Sequence, residues 1–323
     1  MRLGLSLALF LAAAPCLAQP AAGVAHLSET TVAERPLSLS IWYPSEGEAS
    51  ETVGGNPVFE GVPAAPDARF PEGAFPLVVV SHGGLRSAAD SGAWLSSAIT
   101  RAGYVVVEVN APRPENAAAA LDEIWRRPQD IRRVIDLMLT DKAWGQRVDD
   151  RSISVAGFAL GATAAFSVAG AELDVARYMG SCAADSEMEN PDCGWYAKQG
   201  VDPSQTSQES LAQLVKDPRV KAVIGVNPEY LTALGAVPAE VSALRISLGD
   251  PDDASDNDQL AKDVVIPNAS VFDAFAVCTD AGPDILQEEA GDPSLCGASS
   301  EARRAIQQKV SDALISFLAG VND

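Results

Sequence analysis

The chain has 323 residues, 44 of them Asp or Glu against 23 Lys or Arg, for a formal charge of −21. The acids are spread along the sequence with no basic cluster, which argues against nucleic acid and anionic membrane surfaces as partners, since both require positive stripes. With 47% hydrophobic residues, the chain can bury one large α/β core.

Residues 1–18 have the layout of a signal peptide. Arg2 supplies the charge, Leu3 to Ala14 the apolar stretch, and Cys16-Leu17-Ala18 a small-residue site for cleavage after Ala18. A lipoprotein reading of Cys16 is disfavoured by Pro15, which stands where such sites take Gly or Ala. The apolar stretch falls short of the ~20 residues of a membrane span, and no later segment reaches that length. The expectation is a secreted or periplasmic domain over residues 19–323.

Strand-like and helix-like segments then alternate, which predicts a mostly parallel sheet flanked by helices. The strand candidates are Leu37–Trp42, Leu77–Ser81, Val105–Val109, Ile153–Ala156, Val220–Val226, Leu244–Leu248 and Val264–Phe272. Helical patterns cover Ala89–Ala102, Pro128–Leu139, Ala162–Ala171 and Glu301–Ala319. In the second of these, Ile131, Val134, Ile135, Leu137 and Met138 recur at helical spacing, with Pro128 as a first-turn residue. In the last, Ala305, Ile306, Val310, Leu314 and Phe317 repeat that logic.

Two segments read as insertions. Residues 45–76 are rich in Gly, Pro and acids and suggest a surface excursion. Residues 172–218 are too long for an ordinary connection, and they predict a lid over the top of the sheet. Trp195-Tyr196 within this lid is read as packing rather than ligand stacking. Four cysteines follow the leader: Cys182, Cys193, Cys278 and Cys296. In an oxidising compartment an even count favours disulfides, and three connectivities are possible. The local pairing, Cys182–Cys193 with Cys278–Cys296, is preferred because each bond closes a short polar loop. A zinc site is disfavoured by the spacings and by the lack of a nearby histidine.

The stretch Ile153-Ser154-Val155-Ala156-Gly157-Phe158-Ala159-Leu160-Gly161-Ala162 carries the most information. An apolar strand runs through Gly-x-Ala-x-Gly into a small-residue helix, the setting of the G-x-S-x-G turn that presents a nucleophilic serine. Here the central residue is Ala159, whose methyl group cannot attack a carbonyl. Upstream, Ser81-His82-Gly83-Gly84 has the form of an oxyanion loop. Ile41-Trp42-Tyr43-Pro44, Ala102-Gly103-Tyr104-Val105-Val106, Arg127-Pro128-x-Asp130-Ile131-Arg132, Val148-Asp149-Asp150-Arg151 and Arg219-Val220-Lys221-Ala222-Val223 complete an ordered set. Together these segments resemble the secreted bacterial branch of the dienelactone hydrolase-like α/β-hydrolases, which is similar to platelet-activating-factor acetylhydrolases.

The resemblance implies an α/β-hydrolase fold and a Ser-Asp-His mechanism, in which the histidine takes the serine proton and the acid holds the imidazole tautomer. It places the nucleophile at Ala159 and the acid at Asp252, with Asp253 as the alternative. It places the histidine at Val271, ahead of Cys278. The backbone N–H of Leu160, with another near Gly84 or Leu85, would line the oxyanion hole, and His82 would be structural. The histidine count agrees: the chain holds only His26 and His82, so the chain order Ser…Asp…His cannot be completed. Losing serine or histidine costs on the order of 10⁴–10⁶ in turnover, and losing both costs little more.

Three expectations follow. The first is a pseudoenzyme whose site, made more apolar by Ala159 and Val271, binds an apolar or ester-like small molecule. The second is an active esterase or lactonase that uses Ser81 or another hydroxyl with His82. The third is a regulatory protein partner of an active paralogue. No cofactor is expected. The run Asp250, Asp252, Asp253, Asp256, Asp258 matches no defined calcium loop, so no metal is expected either. Asp130 with Arg127 and Arg132 reads as a surface or helix-terminal ion pair.

Overall fold

The computed structural model describes residues 21–84, 87–183, 192–249, 260–289 and 291–322. Five strands come first: β1 (Gly23–Glu29), β2 (Leu37–Tyr43), β3 (Glu51–Val53), β4 (Val62–Pro66) and β5 (Phe75–Ser81). Then α1 (Ala93–Arg101), β6 (Val105–Asn110), α2 (Ala117–Leu121), α3 (Glu123–Thr140), β7 (Val148–Phe158) and α4 (Leu160–Ala169) form the centre. The lid segment folds as α5 (Val175–Gly180), α6 (Cys193–Lys198) and α7 (Gln208–Leu211). Finally β8 (Val220–Val226), β9 (Ser242–Leu248), β10 (Lys262–Ile266), α8 (Gly282–Glu288) and α9 (Ser300–Asn322) close the chain.

The strands form one sheet in the order β10-β9-β8-β7-β5-β6-β2-β1-β4-β3. From β6 to β10 every neighbouring pair is parallel, while β2 runs antiparallel to both β6 and β1. This is the α/β-hydrolase fold. Because side chains alternate across a strand, Leu77 and Val79 of β5 face α3 and α4, packing with Ile131, Val134, Ile135, Met138, Ala164 and Val168. Val78 and Val80 face the other way, toward Leu95 and Ile99 of α1 and Ile306, Val310, Leu314 and Leu318 of α9. All four β5 residues are fully buried, each stabilising the fold by about 1.5–3 kcal/mol. No helix among the described residues is long and apolar enough to cross a membrane.

Several expectations change. Residues 45–76 are not simply an excursion: they contribute β3 and β4 and the start of β5, and β4 pairs with β1, a strand the hydrophobic pattern did not single out. The last strand stops at Ile266 rather than Phe272, because Pro267 cannot donate a ladder bond and Asn268 turns at φ 58°. Val271 therefore opens a 3-10 turn, Val271–Ala274. The first long helix starts at Ala93, since Asp90 sits at φ 59°. Pro128 lies inside α3 rather than in its first turn, so the Ile124 carbonyl lacks its helical donor. On α9 the buried seam passes through Ile306, Val310, Leu314 and Leu318, leaving Ala305 exposed and Phe317 half-buried. The two disulfides have the local pairing: Cys182–Cys193 with Cα atoms 5.2 Å apart, and Cys278–Cys296 at 5.5 Å.

The ion pair expected on the surface of α3 is instead a buried network. Asp130 is 2% exposed and accepts from Arg35 Nε at 2.9 Å and Arg133 Nη1 at 3.2 Å. Arg35 also donates to both oxygens of Glu123, at 2.8 and 2.9 Å. Glu123 in turn receives Arg127 Nε at 3.0 Å, and Arg133 reaches Glu29 of β1. The network explains why α3 begins five residues before the expected start at Pro128: its first turn carries the carboxylate that Arg35 and Arg127 share. Removing one charge from such a cluster strands the others without solvent. Glu123→Gln is therefore expected to cost about 3–5 kcal/mol of stability, read as a lower urea midpoint with an unchanged slope.

Candidate functional site

Strand β7 ends at Phe158, and the chain reverses into α4 through Ala159, which adopts φ 47° and ψ −122°. A residue bearing a Cβ pays about 1–3 kcal/mol to remain in such a region. The neighbours hold it there. The Ala159 N–H donates to the Val226 carbonyl at 2.9 Å, and its own carbonyl accepts from Ala162 and Thr163 N–H at 3.0 and 3.1 Å. The turn closes only because the flanking residues are small. A Cβ at Gly157 would lie 2.3 Å from the Gly161 carbonyl oxygen, and one at Gly161 would lie 2.2 Å from that of Ser81. The strand thus turns sharply into the helix, with a methyl group at the apex of the turn.

The loop after β5 lies against the apex: a Cβ at Gly83 would fall 2.8 Å from the Ala159 Cβ. Arg127 shapes this loop. Its guanidinium donates to the His82 carbonyl, to the Gly83 carbonyl at 2.9 Å and to the Gly84 carbonyl at 3.4 Å. With the His82 and Gly83 carbonyls drawn to the cation, the N–H groups of Gly83 and Gly84 point away from it, because C=O and N–H are antiparallel across a trans peptide. Leu85 lies outside the described residues, as do Asp252 and Asp253.

His82 is held at both ring nitrogens. Nε2 pairs with Glu108 Oε1, and Nδ1 lies 3.2 Å from the Ser91 hydroxyl. Its ring is nearly parallel to that of Phe158, with centroids 6.3 Å apart. Glu108 is completely buried and also accepts from Gly92 N–H at 2.8 Å and the Ser96 hydroxyl at 3.2 Å. Ser91, rather than Ser81, is thus the hydroxyl that meets the His82 ring. The turn carrying Val271 is linked to the elbow indirectly: Trp94 Nε1 donates to the Ala274 carbonyl at 3.2 Å, and its ring packs on Phe158 at 5.9 Å. Val271 itself is 48% exposed.

On the other side of the elbow the lid packs down. Tyr178 and Tyr196 join Leu160, Tyr230 and Ala233 in one apolar cluster. Tyr178 meets Tyr230 edge-on at 4.9 Å and shares a hydrogen bond with Thr206 at 3.0 Å. Burial pushes the Tyr178 hydroxyl up to about 12. Beneath them lies Glu229, just after β8. Burial together with the nearby Asp192 charge pushes its carboxyl up to about 8 against the pull of Arg127. Its main-chain carbonyl accepts from the Thr163 hydroxyl at 2.6 Å. A cavity of about 480 Å³ opens beside the loop after β5, lined in part by Ser81, His82, Gly84, Asn110, Arg113 and Arg127.

The structure thus gathers Ala159, Leu160, His82, Gly83 and Gly84 at the C-terminal ends of β5 and β7, the place where open α/β sheets bind ligands. Sequence reasoning missed Glu108, Ser91, Arg127 as an organiser of the loop, and Glu229. Glu108 did carry a signal, a lone acid within Val105-Val106-Val107-Glu108-Val109. Glu229, in a polar stretch after a strand, carried none.

No protein-family model matches the chain, and no curated protein matches it. Solved structures do. A ferulic acid esterase from Streptomyces cinnamoneus is 18% identical, with a TM-score of 0.54 over 95% of this chain and 91% of that one. One of the matches is to fungal esterases from Rhizomucor miehei, 13% identical with a TM-score of 0.35 over 66% of this chain and 46% of that chain. The first likeness is one of fold, and it extends over nearly the whole chain.

Proposed function

We propose that this chain is an exported α/β-hydrolase-fold protein, of the dienelactone hydrolase-like kind, that has lost ester hydrolysis and binds an apolar or ester-like small molecule. The observation that carries this reading is Ala159 at the apex of an otherwise intact elbow. The strained turn is retained although its usual reason, presentation of a hydroxyl, is gone. Val271 stands where the resemblance requires a histidine, and no histidine follows residue 82. Asp252 is then a vestigial acid. The cavity beside the oxyanion loop offers room for a ligand, and its polar wall of Asn110, Arg113 and Arg127 suits a molecule with a carbonyl or carboxylate as well as an apolar part.

A second reading has one observation in its favour. Ser91, His82 and Glu108 form a hydroxyl–imidazole–carboxylate chain, the order of groups that activates a serine. The site nevertheless leaves the ring little room to turn, because a Cβ at Gly92 would lie 2.4 Å from His82 Cε1 and Phe158 lies parallel to the ring on another side.

Two measurements separate these readings. Highly purified protein is expected to hydrolyse p-nitrophenyl acetate and butyrate no faster than the residual ~10³–10⁴ over water that binding and an oxyanion hole can give. A turnover of ~1–10³ s⁻¹, the ordinary enzymatic range, overturns the loss of hydrolysis. Treatment with a fluorophosphonate is expected to leave every serine unmodified. An adduct on Ser91 that disappears in His82→Ala would establish the second reading instead.

A further inference from the structure

The cavity of about 480 Å³ has walls from the entry to β2, the end of β5, the segment after β6 and α3. Among the described residues that line it are neither Ala159, Leu160 nor Val271, so it is a separate hollow from the turn into α4. It lies in the crevice beyond the carboxyl ends of parallel strands, where open α/β sheets hold ligands.

Most polar groups on these walls are already engaged. Arg127 holds Glu123 and three carbonyls, and Asp130 holds Arg35 and Arg133. In that network three acids (Glu29, Glu123, Asp130) balance three arginines (Arg35, Arg127, Arg133), so it is neutral. The Asn110 side chain is closed onto Asp90 by two bonds of 2.9 Å. Both ring nitrogens of His82 are held as well.

Four groups stay open. The Arg113 guanidinium has no carboxylate or carbonyl partner among the described residues, and the hydroxyls of Ser38, Ser81 and Ser87 have none either. Ser81 matters most, because it is only 5% exposed. A hydroxyl so buried normally has a partner, and here the cavity is what remains for it to meet. The backbone holds Arg113 in place. Pro112 and Pro114 each lock their own φ, and a residue ahead of proline is confined to extended conformations. Ala111-Pro112-Arg113-Pro114 is thus stiff at all four positions. In a chain with 44 acids and only 23 Lys or Arg, a cation left without a carboxylate calls for a reason.

We propose that this cavity binds a small organic monocarboxylate, with Arg113 selecting the acid over a neutral ester or amide. A guanidinium presents parallel N–H donors that match the two oxygens of a carboxylate. The three serine hydroxyls supply further donors, and Val109, Ala111 and Pro112 give the ligand's apolar body a surface. The volume falls within the range of pockets that take such molecules, about 300–1,000 Å³. One open cation suits a monoanion, since a dianion would bring an unmatched charge into the field of a chain at −21. The inference rests on the reading of this cavity as a ligand site, and it narrows that ligand to an acid.

Calorimetric titration with benzoate and hexanoate, each against its primary amide, tests it, because acid and amide differ chiefly in charge. The unsubstituted protein is expected to bind at least one acid about tenfold or more tighter than its amide. Arg113→Gln should erase that preference, weakening the acid by about tenfold while moving the amide by less than about twofold. Arg113 is exposed, so this variant should melt together with the unsubstituted protein. Ala111→Phe fills the cavity and leaves the arginine, and it should weaken acid and amide alike, as attraction to a surface cation alone would not. If that variant does not fold, Arg113→Gln decides. Equal affinity for acid and amide, binding of neither acid, acid binding untouched by Arg113→Gln, or inorganic phosphate bound more tightly than both acids overturns the proposal. Amides bound as well as acids would leave the ligand-binding reading standing and remove this one. Ester hydrolysis by the unsubstituted protein would defeat the reading of Ala159 without touching the Arg113 result.

Discussion

The backbone at Ala159 sits where a residue with a Cβ is strained, and the surrounding structure over-determines that conformation. Val226 on β8 fixes its N–H, the first turn of α4 fixes its carbonyl, and Gly157 and Gly161 let strand, helix and the end of β5 approach within van der Waals limits. A turn this close ties three neighbouring strands to one helix start. The register of β5, β7 and β8 and the packing of α4 on all three depend on it. Such strain ordinarily accompanies a functional side chain. Here it is held at an alanine, because the turn is also a keystone of the sheet's packing.

Charge organises the two sides of that keystone differently. On the side of α3, a chain of paired ions runs from Glu29 and Arg35 through Asp130 and Glu123 to Arg127, and ends on three carbonyls of the loop after β5. Each guanidinium has planar donors matched to the carboxylates it meets, so the loop is held by directional bonds that reach back to the sheet's antiparallel edge. Among the described residues the lid side has no such network. The Glu229 carboxyl faces Tyr196 and Tyr230 in an apolar shell with Asp192 nearby, and burial drives it toward its neutral form. Glu123 is thus met by arginine donors, whereas among the described residues no arginine hydrogen-bonds the Glu229 carboxyl, which burial pushes upward.

Much of the fold was legible in the sequence. The central strands, from Leu77–Ser81 to Leu244–Leu248, are short apolar runs rich in Val and Ile. Burial on both faces of a parallel sheet makes such runs continuous rather than alternating. The disulfides have the local pairing that the sequence preferred among three connectivities. The pattern failed where backbone chemistry or distant partners decided. Pro267 and Asn268 cut β10 short and put Val271 on an exposed turn. The Ser45–Pro76 segment, Gly-rich and acidic, still supplied the edge strand β3 and its neighbour β4, since pairing near an edge needs few apolar residues. Asp130 looked like a surface acid because helical periodicity gives the spacing of a face and not what meets it.

By itself the sequence determined that a strand turns sharply into a helix at Ala159 and that neither serine nor a downstream histidine is present to do chemistry there. Both are properties of local residue identity, and no folding changes them. Only the tertiary structure decided what surrounds that turn: that Arg127 grips the loop after β5, that His82 is pinned between Glu108 and Ser91, and that the Glu229 carbonyl accepts from the Thr163 hydroxyl. Those contacts join residues 9 to 66 positions apart. They are set by strand order and by which faces the helices and lid leave buried, which a linear pattern of hydrophobicity does not record.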